Sequence, residues 1–519
     1  MKFHILNVTA RSLIVELDDA QAQYRVEPYA ISINGKVWQT SDKTVESVYG
    51  LEPGTAYEVA VTRGSESARL TVETKPEFVT LDVRDFGAKG DGVCDDTAAL
   101  QAAILCCPAG GRVYVPRGAY RFTHLFLKSD LTLDIDGEAT LRAIPDKQKL
   151  PILPGRIESS DETSEYLINS WEGNPLDGFS SLLTGIRVEN VTICGRGTID
   201  GGADFTNWWN AENRRNDPAR PKMLFLNHCK NVTVQGVTFR NSPAWNMHPY
   251  FSEDITFADI RLESPADSHN TDGIDPESCC RVQIIGVYFS VGDDCIAIKS
   301  GKIYTGRKYK TPSRDIVIRN CLMRRGHGAV TIGSENAAGV DNIRIQNCVF
   351  TDTDRGLRVK TRRGRGKDSV LRGIWLENIR MDCARTPFVV NSFYFCGPDG
   401  KTDYVADKNP LPVDKRTPEV RDIHIRNVEA QNAHVAAAYI YGLPEKKIEL
   451  VEMENVSISF ADHAVKGTAA MMAGCEPSVR QGIFIRNAHT VRLKNVTVTG
   501  AAGKPLDIAQ VDKIEGRPA

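Results

Sequence analysis

This 519-residue chain lacks long apolar runs. Because a membrane-spanning helix needs about 18 or more consecutive apolar residues, we expect no membrane span. The formal net charge is −2, which gives no electrostatic argument for nucleic acid or an anionic membrane as a partner. Hydrophobic residues make up 41% of the chain and charged residues 25%, as in an ordinary soluble protein with a large core.

Cysteine spacing that indicates a disulfide framework or a metal site is also missing. The thirteen cysteines are odd in number and scattered, with adjacent pairs such as Cys106-Cys107, and no CxxC motif occurs. We therefore expect small buried thiols, and neither a metal nor a cofactor. Met1–Val8 contains no apolar run followed by a small-residue cleavage site, which predicts a cytoplasmic protein, or a secreted one only if a signal was removed.

Residues 1–76 have the pattern of a small all-β domain. Short alternating segments, including Ser12–Leu17 and Ala68–Glu73, are separated by Gly, Ser and Pro turns. Leu51–Tyr57 resembles the tyrosine-corner segment of a fibronectin type III module. We predict a β-sandwich here. Because no aromatic stripe for sugar stacking is evident, a packing role is favoured over a substrate-adjacent one.

The remainder, residues 77–519, begins with a glycine-rich stretch and a helix. A helical run over Ala98–Cys107 follows a candidate N-cap at Asp96 or Thr97, and such a helix would cover the exposed end of a strand stack. The glycine-rich stretch Phe86–Gly92 does not have the spacing of a phosphate-binding loop.

From about residue 125 the sequence repeats an alternating strand pattern that ends in Asn or Gly. Copies recur about every 23 to 40 residues, and examples are Val188–Ile193, Asn231–Val237, Asp254–Ile260, Asp315–Asn320, Asn342–Asn347, Asp422–Asn427 and Val491–Val496. A period of two indicates strands with one buried face, and a short repeat without helices indicates a solenoid. The fold class that fits best is all-β, a right-handed parallel β-helix. A β-propeller is the competitor, although its blades need four strands in about 40 residues.

Three longer segments without the repeat interrupt it, at roughly 144–183, 203–222 and 396–419. Long loops on a rigid scaffold commonly carry binding specificity. Their candidate binding residues are Arg156, Tyr166, Trp171, Trp208, Trp209, Arg214, Arg215, Arg220, Tyr404 and Lys408.

Three carboxylates, Asp272, Asp293 and Asp294, form the most informative feature. Asp272 and Asp293 are 21 residues apart, close to one coil of a β-helix, so the coiling would make them neighbours in space. Like charges at close range raise one pKa, which lets the same residue type supply an acid and a base. Adjacent residues in a strand face opposite ways, so we predict a bend or bulge, permitted by Gly292, that turns both aspartates to one side.

Further charged residues follow at coil-like spacing. His327 lies 33 residues after Asp294, and Arg358 lies 31 residues after His327. Arg358 and Lys360 are two apart on a predicted strand and therefore share a face. Two cations beside a carboxylate cluster favour a substrate that is itself an anion.

The basic run Arg362–Lys367 has three possible interpretations. It has the composition of a nucleic-acid-binding patch. A polyanionic uronic acid chain also explains it, and so does a plain solvated loop.

Four motifs now carry a family resemblance: Asn270-Thr271-Asp272, Gly292-Asp293-Asp294, Gly326-His327-Gly328 and Arg358-Val359-Lys360. In this order they resemble the signatures of glycoside hydrolase family 28, the polygalacturonases, with Val359 where Ile is usual. Together with Asp85–Gly92, the resemblance covers about four fifths of the chain, from about Asp82 onward. Retention of every expected acid makes a non-catalytic pectin-binding solenoid the weaker alternative.

The resemblance implies inverting hydrolysis of α-1,4-linked galacturonic acid. By analogy Asp293 is the general acid, Asp272 and Asp294 activate the water, and His327 tunes the protonation of the acid. Substrate binding falls to Asn270 and to Arg358 and Lys360, which would hold galacturonate carboxylates. Such a site is expected to hold its acid and base about 6.5–9.5 Å apart.

The long loops, with Asn241–Pro249 and Gly273–Ser278, resemble the bacterial exo-acting branch, in which one end of the groove is closed. A hydrolase for rhamnogalacturonan or another decorated pectin is an alternative in the same family. A pectate lyase on the same fold is another, and it would require calcium. The expected partner is a galacturonic-acid oligosaccharide or polysaccharide, and the oligomeric state stays open.

Overall fold

A stack of parallel strands forms most of the molecule. The structure, a computed structural model, describes residues 2–18, 21–213 and 220–518. Small antiparallel sheets precede a large parallel sheet, and the prediction of a right-handed parallel β-helix is confirmed. Among the described residues, no helix is long and apolar enough to cross a membrane.

The N-terminal part consists of two antiparallel sheets. One sheet contains Phe3–Val8, Ser12–Leu17 and Val45–Tyr49, and the other contains Lys36–Lys43, Arg25–Ile33, Ala56–Arg63 and Glu66–Glu73. Their inner faces share one apolar core, as in a sandwich. The hydroxyl oxygen of Tyr57 accepts the Glu52 backbone N–H at 2.9 Å. The fibronectin type III relationship and the boundary after residue 76 stay predictions.

The solenoid has three faces of parallel strands, and each coil contributes to them in turn. The first face contains Thr80–Asp82, Gly111–Val115, Leu131–Ile135, Glu189–Gly195, Lys230–Gln235, Glu253–Ala258, Cys280–Ile285, Ser313–Arg319, Val340–Gln346, Val370–Asp382, Glu419–Val420, Asp422–Ala433, Ile448–Phe460, Gln481–Thr499 and Leu506–Glu515. Of these long late strands, Val370–Asp382, Asp422–Ala433, Ile448–Phe460 and Gln481–Thr499 continue onto the second face, and Gln481–Thr499 and Leu506–Glu515 begin on the third. The second face contains Asp91–Asp95, Gly118–Phe122, Ala139–Ala143, Thr198–Asp200, Thr238–Arg240, Arg261–Glu263, Tyr288–Ser290, Leu322–Arg324 and Val349–Thr351. The third, called the site face below, contains Leu125–Phe126, Leu183–Ile186, Leu224–Asn227, Met247–Tyr250, Ala297–Ile298, Val330–Ile332, Arg355–Lys360, Thr386–Asn391 and Ala436–Tyr441.

The remaining elements are short. The α-helices are Thr97–Cys106, Ile303–Tyr309 and Asp403–Ala406, and the 3-10 helices are Val83–Phe86, Lys147–Lys149 and Pro398–Gly400. Two small hairpins pair Ile152–Leu153 with Gly178–Phe179 and Arg156–Glu158 with Glu165–Leu167. The first helix packs Leu100, Ala103 and Ile104 against the core of the first coils, as the sequence predicts.

Apolar side chains stack through the centre of the solenoid. Because the strands are parallel and in register, equivalent positions of successive coils lie on one another, for example Val234, Phe257, Ile284 and Ile318. These four side chains are fully buried. Each contributes about 1.5–3 kcal/mol through burial, so the alternating repeat in the sequence is the source of the stability of the stack.

The Asn or Gly that ends each repeat occupies a corner with left-handed backbone. Asn320, Asn347, Asn378, Asn427 and Asn455 all have positive φ there, a conformation that Asn and Gly tolerate. In the later coils their side chains form a ladder. The Nδ2 of one residue donates to the Oδ1 of the previous one at 3.0–3.2 Å along the series Asn495, Asn455, Asn427, Asn378 and Asn347.

The N-terminal sheets pack against this corner. Gly236 and Gly286 replace Asn there, because a Cβ would lie 2.0 Å from the Tyr49 hydroxyl and 2.4 Å from Val45 respectively. Polar contacts complete the interface. The buried Glu16 carboxylate accepts two hydrogen bonds from Arg319, at 2.7 and 2.8 Å, and one from the Asn320 side chain at 2.7 Å.

We expect Glu16→Ala to lower the free energy of unfolding by about 3 kcal/mol, because it leaves the Arg319 guanidinium without its carboxylate. Glu58→Ala is the matched control: its 3.6 Å pair with Arg69 is exposed, so the change should be below about 0.5 kcal/mol. Denaturant unfolding of both variants measures the difference. Equal midpoints would show that this interface contributes little to stability.

Candidate active site

The four sequence motifs meet at the beginning of the site face, on successive coils. Bridges pair Ile274 with Ile296, and strand pairing then joins Ala297 to Thr331 and Thr331 to Arg358. The first bridge places Asp272 and Asp294 at equivalent positions of adjacent coils. The predicted stacking of these motifs is therefore present, whereas the catalytic roles of their residues stay predictions.

The three carboxylates lie closer together than the sequence analysis expected. One oxygen of each of Asp272, Asp293 and Asp294 lies within 4.8 Å of the others. The expected separation of about 6.5–9.5 Å is therefore wrong. The reason is the register, because side chains at equivalent positions of neighbouring coils are separated by about the strand spacing of 4.8 Å.

A bend turns both adjacent aspartates toward the groove. Residues 292 and 293 form a bend between the strand Tyr288–Ser290 and the site face, as predicted. Gly292 has a reason other than backbone freedom: its φ is not in the left-handed region, but a Cβ there would lie 2.1 Å from the Ser268 carbonyl oxygen. Thr271 fixes the bend, because its hydroxyl accepts the Gly292 N–H at 3.0 Å.

We expect Gly292→Ala to lower kcat by about 100-fold, because the chain must move away from Ser268 and displace Asp293 and Asp294 by about 1 Å. Gly503→Ala is the control, since a Cβ there meets nothing within 4 Å. Steady-state kinetics on both variants, after a check of folding by circular dichroism, gives the comparison. Unchanged kcat in Gly292→Ala would mean that the bend adapts without moving the carboxylates.

Asp294 is the paired carboxylate of the cluster. It is buried, and its two oxygens accept hydrogen bonds from Arg358 at 2.9 Å and Lys360 at 2.8 Å. Burial alone would raise the pKa of Asp294, but Lys360 and Arg358 hold that pKa well below its usual range. A Cβ on Gly328 would lie 2.8 Å from Asp294 and 3.4 Å from Arg358, so glycine leaves the space in which this ion pair sits.

Asp293 is the most exposed of the three and contacts His327. The His327 Nδ1 and the Asp293 Oδ1 are 3.2 Å apart, and the His327 backbone N–H donates to the Asp293 carbonyl at 3.1 Å. Burial is the largest influence and raises the pKa of Asp293, but the hydrogen bond with His327 and the charges of His327 and Lys360 together outweigh it, so the net shift is downward. The same hydrogen bond raises the pKa of His327, so the protonated imidazole is stabilised in the substrate-free site.

Asp272 differs from Asp294 in that it forms no ion pair among the described residues. Its Oδ1 is buried without a hydrogen-bond partner among the described residues. Burial, followed by the charges of Asp293 and Asp275, raises the pKa of Asp272 well above its usual range. The pKa values of the cluster are therefore shifted in different directions, upward for Asp272 and downward for Asp293 and Asp294.

Asn270 is engaged by a neighbouring loop. Its backbone has a φ of +54°, and its side-chain oxygen accepts a hydrogen bond from Arg220 at 2.6 Å. Arg220 also donates to the carbonyl oxygens of His269 and Pro243. Asn270 therefore holds Arg220 in place, and its predicted substrate contact would have to be made by the amide nitrogen.

A second layer of buried charge lies behind the cluster, and the sequence analysis did not predict it. Lys299 is 3.5 Å from Asp275 and 3.3 Å from Glu335, and the His248 Nε2 is 2.9 Å from Glu277. Burial raises the pKa of Asp275 to about 7, with Lys299 opposing the shift. Asp275, Glu277 and His248 stand inside motifs quoted above, but only the register reveals that they face one another.

Tyr394 and Met471 also border the site without having been predicted. The Tyr394 ring centroid lies 5.3 Å from the Lys360 Nζ, and the Met471 sulfur lies 3.1 Å from an Arg358 nitrogen. Both residues come from segments distant in sequence, which carry no local signal. They cover the downstream side of the Arg358–Lys360 pair.

A loop covers the site face upstream of the carboxylates. We call Leu167–Asn174 the upstream wall. Its Trp171 stacks on Trp245 with 5.3 Å between ring centroids, and its Gly173 carbonyl accepts the Lys302 N–H at 3.0 Å. Beneath the wall, outward side chains of two earlier coils and of the Asp272 coil itself are at most 1% exposed: Phe225, Asn227, His248, Tyr250, Asp275 and Glu277.

The three interpretations of the basic run Arg362–Lys367 as a surface feature are wrong. Arg362, Arg363 and Arg365 are at most 2% exposed. They anchor the 396–419 loop. Arg363 forms a two-bonded ion pair with Glu445, and Arg362 donates to the carbonyl oxygens of Tyr394 and Cys396.

The other predicted loop residues have different positions. Trp208 and Trp209 are buried in a small apolar cluster with Leu150 and Ala203. Lys408 lies 3.7 Å from the Phe393 ring centroid. Tyr404 lies under the Arg416 guanidinium, Arg156 pairs with Glu165, and the Arg187 guanidinium lies over the Tyr166 ring. Arg214 and Arg215 lie outside the described residues.

Comparisons with known proteins agree with this geometry. The profile of the family described as glycosyl hydrolases family 28 matches residues 112–475. A probable polygalacturonase of Vitis vinifera is 31% identical over 396 residues, with 74% of this chain and 74% of that protein covered. An exo-poly-alpha-D-galacturonosidase of Dickeya chrysanthemi is 26% identical over 439 residues, with 74% and 69% covered.

Solved structures have the same architecture. A hyperthermoactive exopolygalacturonase from Thermotoga maritima aligns with a TM-score of 0.66 at 27% identity, over 81% of this chain and 92% of that chain. A family 28 exopolygalacturonase from Yersinia enterocolitica aligns over the full length of both chains, with a TM-score of 0.74 at 20% identity. At that identity the second similarity bears on the fold.

Proposed function

Because this chain belongs to glycosyl hydrolases family 28 and is a glycoside hydrolase, we propose that it hydrolyses α-1,4-galacturonosyl linkages of pectin-derived chains, from a chain end. The observation that carries the proposal is the carboxylate cluster with Arg358 and Lys360 on Asp294. Hydrolysis of a glycosidic bond needs a proton donor and an activated water, and a galacturonate substrate adds a negative charge at every unit.

Asp293 is the proposed general acid. It is the cluster member with the greatest exposure, at 21% of its side chain, so a glycosidic oxygen can reach it. In the empty site its pKa is lowered, mainly through its contact with His327. A bound sugar replaces water around Asp293 and brings its own carboxylate, and both effects raise the pKa of the acid toward the protonated form that donates.

Asp272 and Asp294 are the proposed water-positioning pair. A single water that donates one hydrogen bond of about 2.8 Å to each of two carboxyl oxygens spans a gap of under 5 Å between them. The separation of at most 4.8 Å fits that arrangement. The ion pairs of Asp294 keep it ionised, so it can accept the proton of the water as the bond to the sugar forms.

Arg358 and Lys360 supply the anion specificity. Each makes one hydrogen bond to Asp294, so other N–H donors of both remain available for a galacturonate carboxylate. Both are nearly buried, and charged hydrogen bonds are stronger where water is excluded. A neutral galactose unit at this position leaves those donors without a partner.

The upstream wall supports action at a chain end. Because it buries the site face on the coils before Asp272, the groove has room for few sugar units upstream of the carboxylates. A substrate must then place its end against the wall and extend downstream. An endo-acting enzyme instead needs a groove that is open at both ends.

Incubation with polygalacturonate and saturated oligogalacturonides, followed by chromatography, tests this proposal. We expect only mono- or digalacturonate at early times. A ladder of sizes would exclude exo action. A rise in absorbance near about 235 nm would indicate a lyase that forms unsaturated products; a lyase of the kind considered above depends on calcium, so a chelator should then abolish activity.

The anomeric configuration of the first product tests the single displacement. We expect the β-anomer at early times by proton NMR, because the attacking water enters on the face opposite the leaving group. A first product in the α-configuration would mean that one of the closely spaced aspartates attacks the sugar itself.

A further inference from the structure

A cavity lies beside His327, on the side of the site away from the upstream wall. It has a volume of about 230 Å³, and its lining residues are Asp354, Arg355, Arg385, Thr386, Val435 and Thr468. The backbone connects it directly to the catalytic loop, because the Asp354 N–H donates to the Gly326 carbonyl at 2.9 Å and Arg385 N–H donates to the Thr353 carbonyl at 3.0 Å. None of these residues belongs to the four family motifs.

The charges of this cavity do not balance. Arg355 and Arg385 approach the same carboxylate, Asp354, at 3.5 and 3.6 Å, and the other lining side chains are uncharged. One positive charge is therefore left over in a partly enclosed space. Arg355 is further fixed by hydrogen bonds to the carbonyl oxygens of Thr468 and Ala469, whereas Arg385 keeps 44% of its side chain exposed. Burial and the nearby Arg358 lower the pKa of Arg355 to about 10, as expected for an excess of positive charge.

The cavity lies where the leaving part of a substrate must go. Upstream the wall closes the groove, and directly downstream the segment 469–472 packs on Val389 and Tyr439 of the site face. The open side runs past His327, which is 50% exposed. Arg385 is two coils beyond His327, at about 4.8 Å per coil, and three coils beyond Asp293, so it lies past the first leaving-group sugar and within reach of the second.

We propose that the Arg355–Arg385 cavity is a subsite for the carboxylate of the second galacturonate on the leaving-group side. This inference rests on the proposed function, since it assigns a place to a substrate unit of that reaction. Arg385 is the residue that contacts the anion, and Asp354 and Arg355 hold it in position. A trisaccharide fills the subsite, whereas a disaccharide does not reach it.

The test compares kcat/KM for tri- and digalacturonate in Arg385→Gln. We expect the ratio of trimer to dimer to fall about 10-fold, the value of one charged hydrogen bond. Arg314→Gln is the control, because Arg314 is an equally exposed arginine, at 52%, that pairs with its neighbour Asp315 on the first face. Its ratio should equal that of the unmodified enzyme.

A galacturonate trimer that is methyl-esterified at its reducing-end carboxyl group separates the effect of that carboxylate's charge from the effect of chain length. The unmodified enzyme should discriminate against this ester about 10-fold, and Arg385→Gln should not discriminate. An equal loss on dimer and trimer, or an ester discrimination that survives in Arg385→Gln, overturns the subsite. If no galacturonate oligomer is hydrolysed, the proposed function itself has failed, which is a different result from normal hydrolysis without a chain-length effect.

Discussion

Asp293→Asn is expected to lower kcat on galacturonate oligomers by about 10³-fold or more, with the dissociation constant nearly unchanged. Asparagine fills the same volume and keeps an oxygen for the His327 contact, but it cannot donate a proton to the leaving oxygen. Binding is measured by calorimetry with a trimer and turnover by reducing-end release. Asp315→Asn is the control: Asp315 also has positive φ and accepts a side-chain hydrogen bond from Asn342, both of which asparagine can reproduce.

The role of Asp293 as acid is separable from the roles of its neighbours. An aryl α-galacturonide has a leaving group that departs without a proton, so it should recover most of the activity lost in Asp293→Asn. Asp272→Asn and Asp294→Asn should not recover, because they act on the water. If Asp272→Asn were the variant rescued by the aryl substrate, the acid would be Asp272, the carboxyl with the raised pKa in the empty site.

Asp294→Asn is expected to reduce the free energy of unfolding by about 3–5 kcal/mol at pH 7, whereas Asp272→Asn is expected to raise it. The two residues occupy equivalent positions of adjacent coils but differ in their partners. Removing the charge of Asp294 leaves Arg358 and Lys360 buried without an anion. Removing that of Asp272 leaves no cation unpaired.

The pH dependence of the two differences has opposite sign. The pKa of Asp294 is depressed by folding, so its contribution is present above the unfolded pKa of about 3.9 and is lost as the pH falls toward the folded value. The pKa of Asp272 is raised, so its contribution is present below about 3.9 and is lost as the pH rises through the folded value.

Denaturant unfolding at about pH 3 and at pH 7 checks these signs. The destabilisation by Asp294→Asn should shrink at about pH 3, which is below the unfolded pKa. Asp272→Asn should gain stability relative to the unmodified protein at pH 7. Parallel behaviour of the two variants would show that the environments of these carboxyl groups are alike, contrary to their contacts. Asp315→Asn again serves as the reference, since the Asp315 side chain is 39% exposed and lies outside the cluster.

The alternating repeat in the sequence predicts most of the fold, for a physical reason. Alternation of apolar residues determines which side of a strand is buried, and the recurrence of that alternation determines the stack. The coil spacing alone therefore predicts that Asp272, Asp293, His327 and Arg358 lie on successive coils. It did not give their distances, because one residue of register decides whether Asp272 faces Asp293 or Asp294.

What the sequence could not reveal depends on contacts between distant segments. Three arginines within six residues are typical of a solvent-exposed surface. Arg363 is nevertheless buried, because it forms an ion pair with Glu445, 82 positions away. The upstream wall forms because Trp171 stacks on Trp245 and because the Gly173 carbonyl accepts the Lys302 N–H. Gly292 was correctly linked to the bend, but the close approach of Ser268 that requires glycine is visible only in three dimensions.

The asparagine ladder at the corner has a consequence for how the chain can vary in length. Each hydrogen bond of the ladder fixes the register of its coil relative to the coil before it. An insertion at this corner would therefore shift the register of every later strand. Insertions between the second face and the site face leave the ladder untouched, and the 144–183 excursion begins after Ala139–Ala143 on the second face. Loops bordering the groove can therefore lengthen, shorten or be exchanged while the scaffold keeps its alignment, which offers a route to new substrates that does not require rebuilding the core.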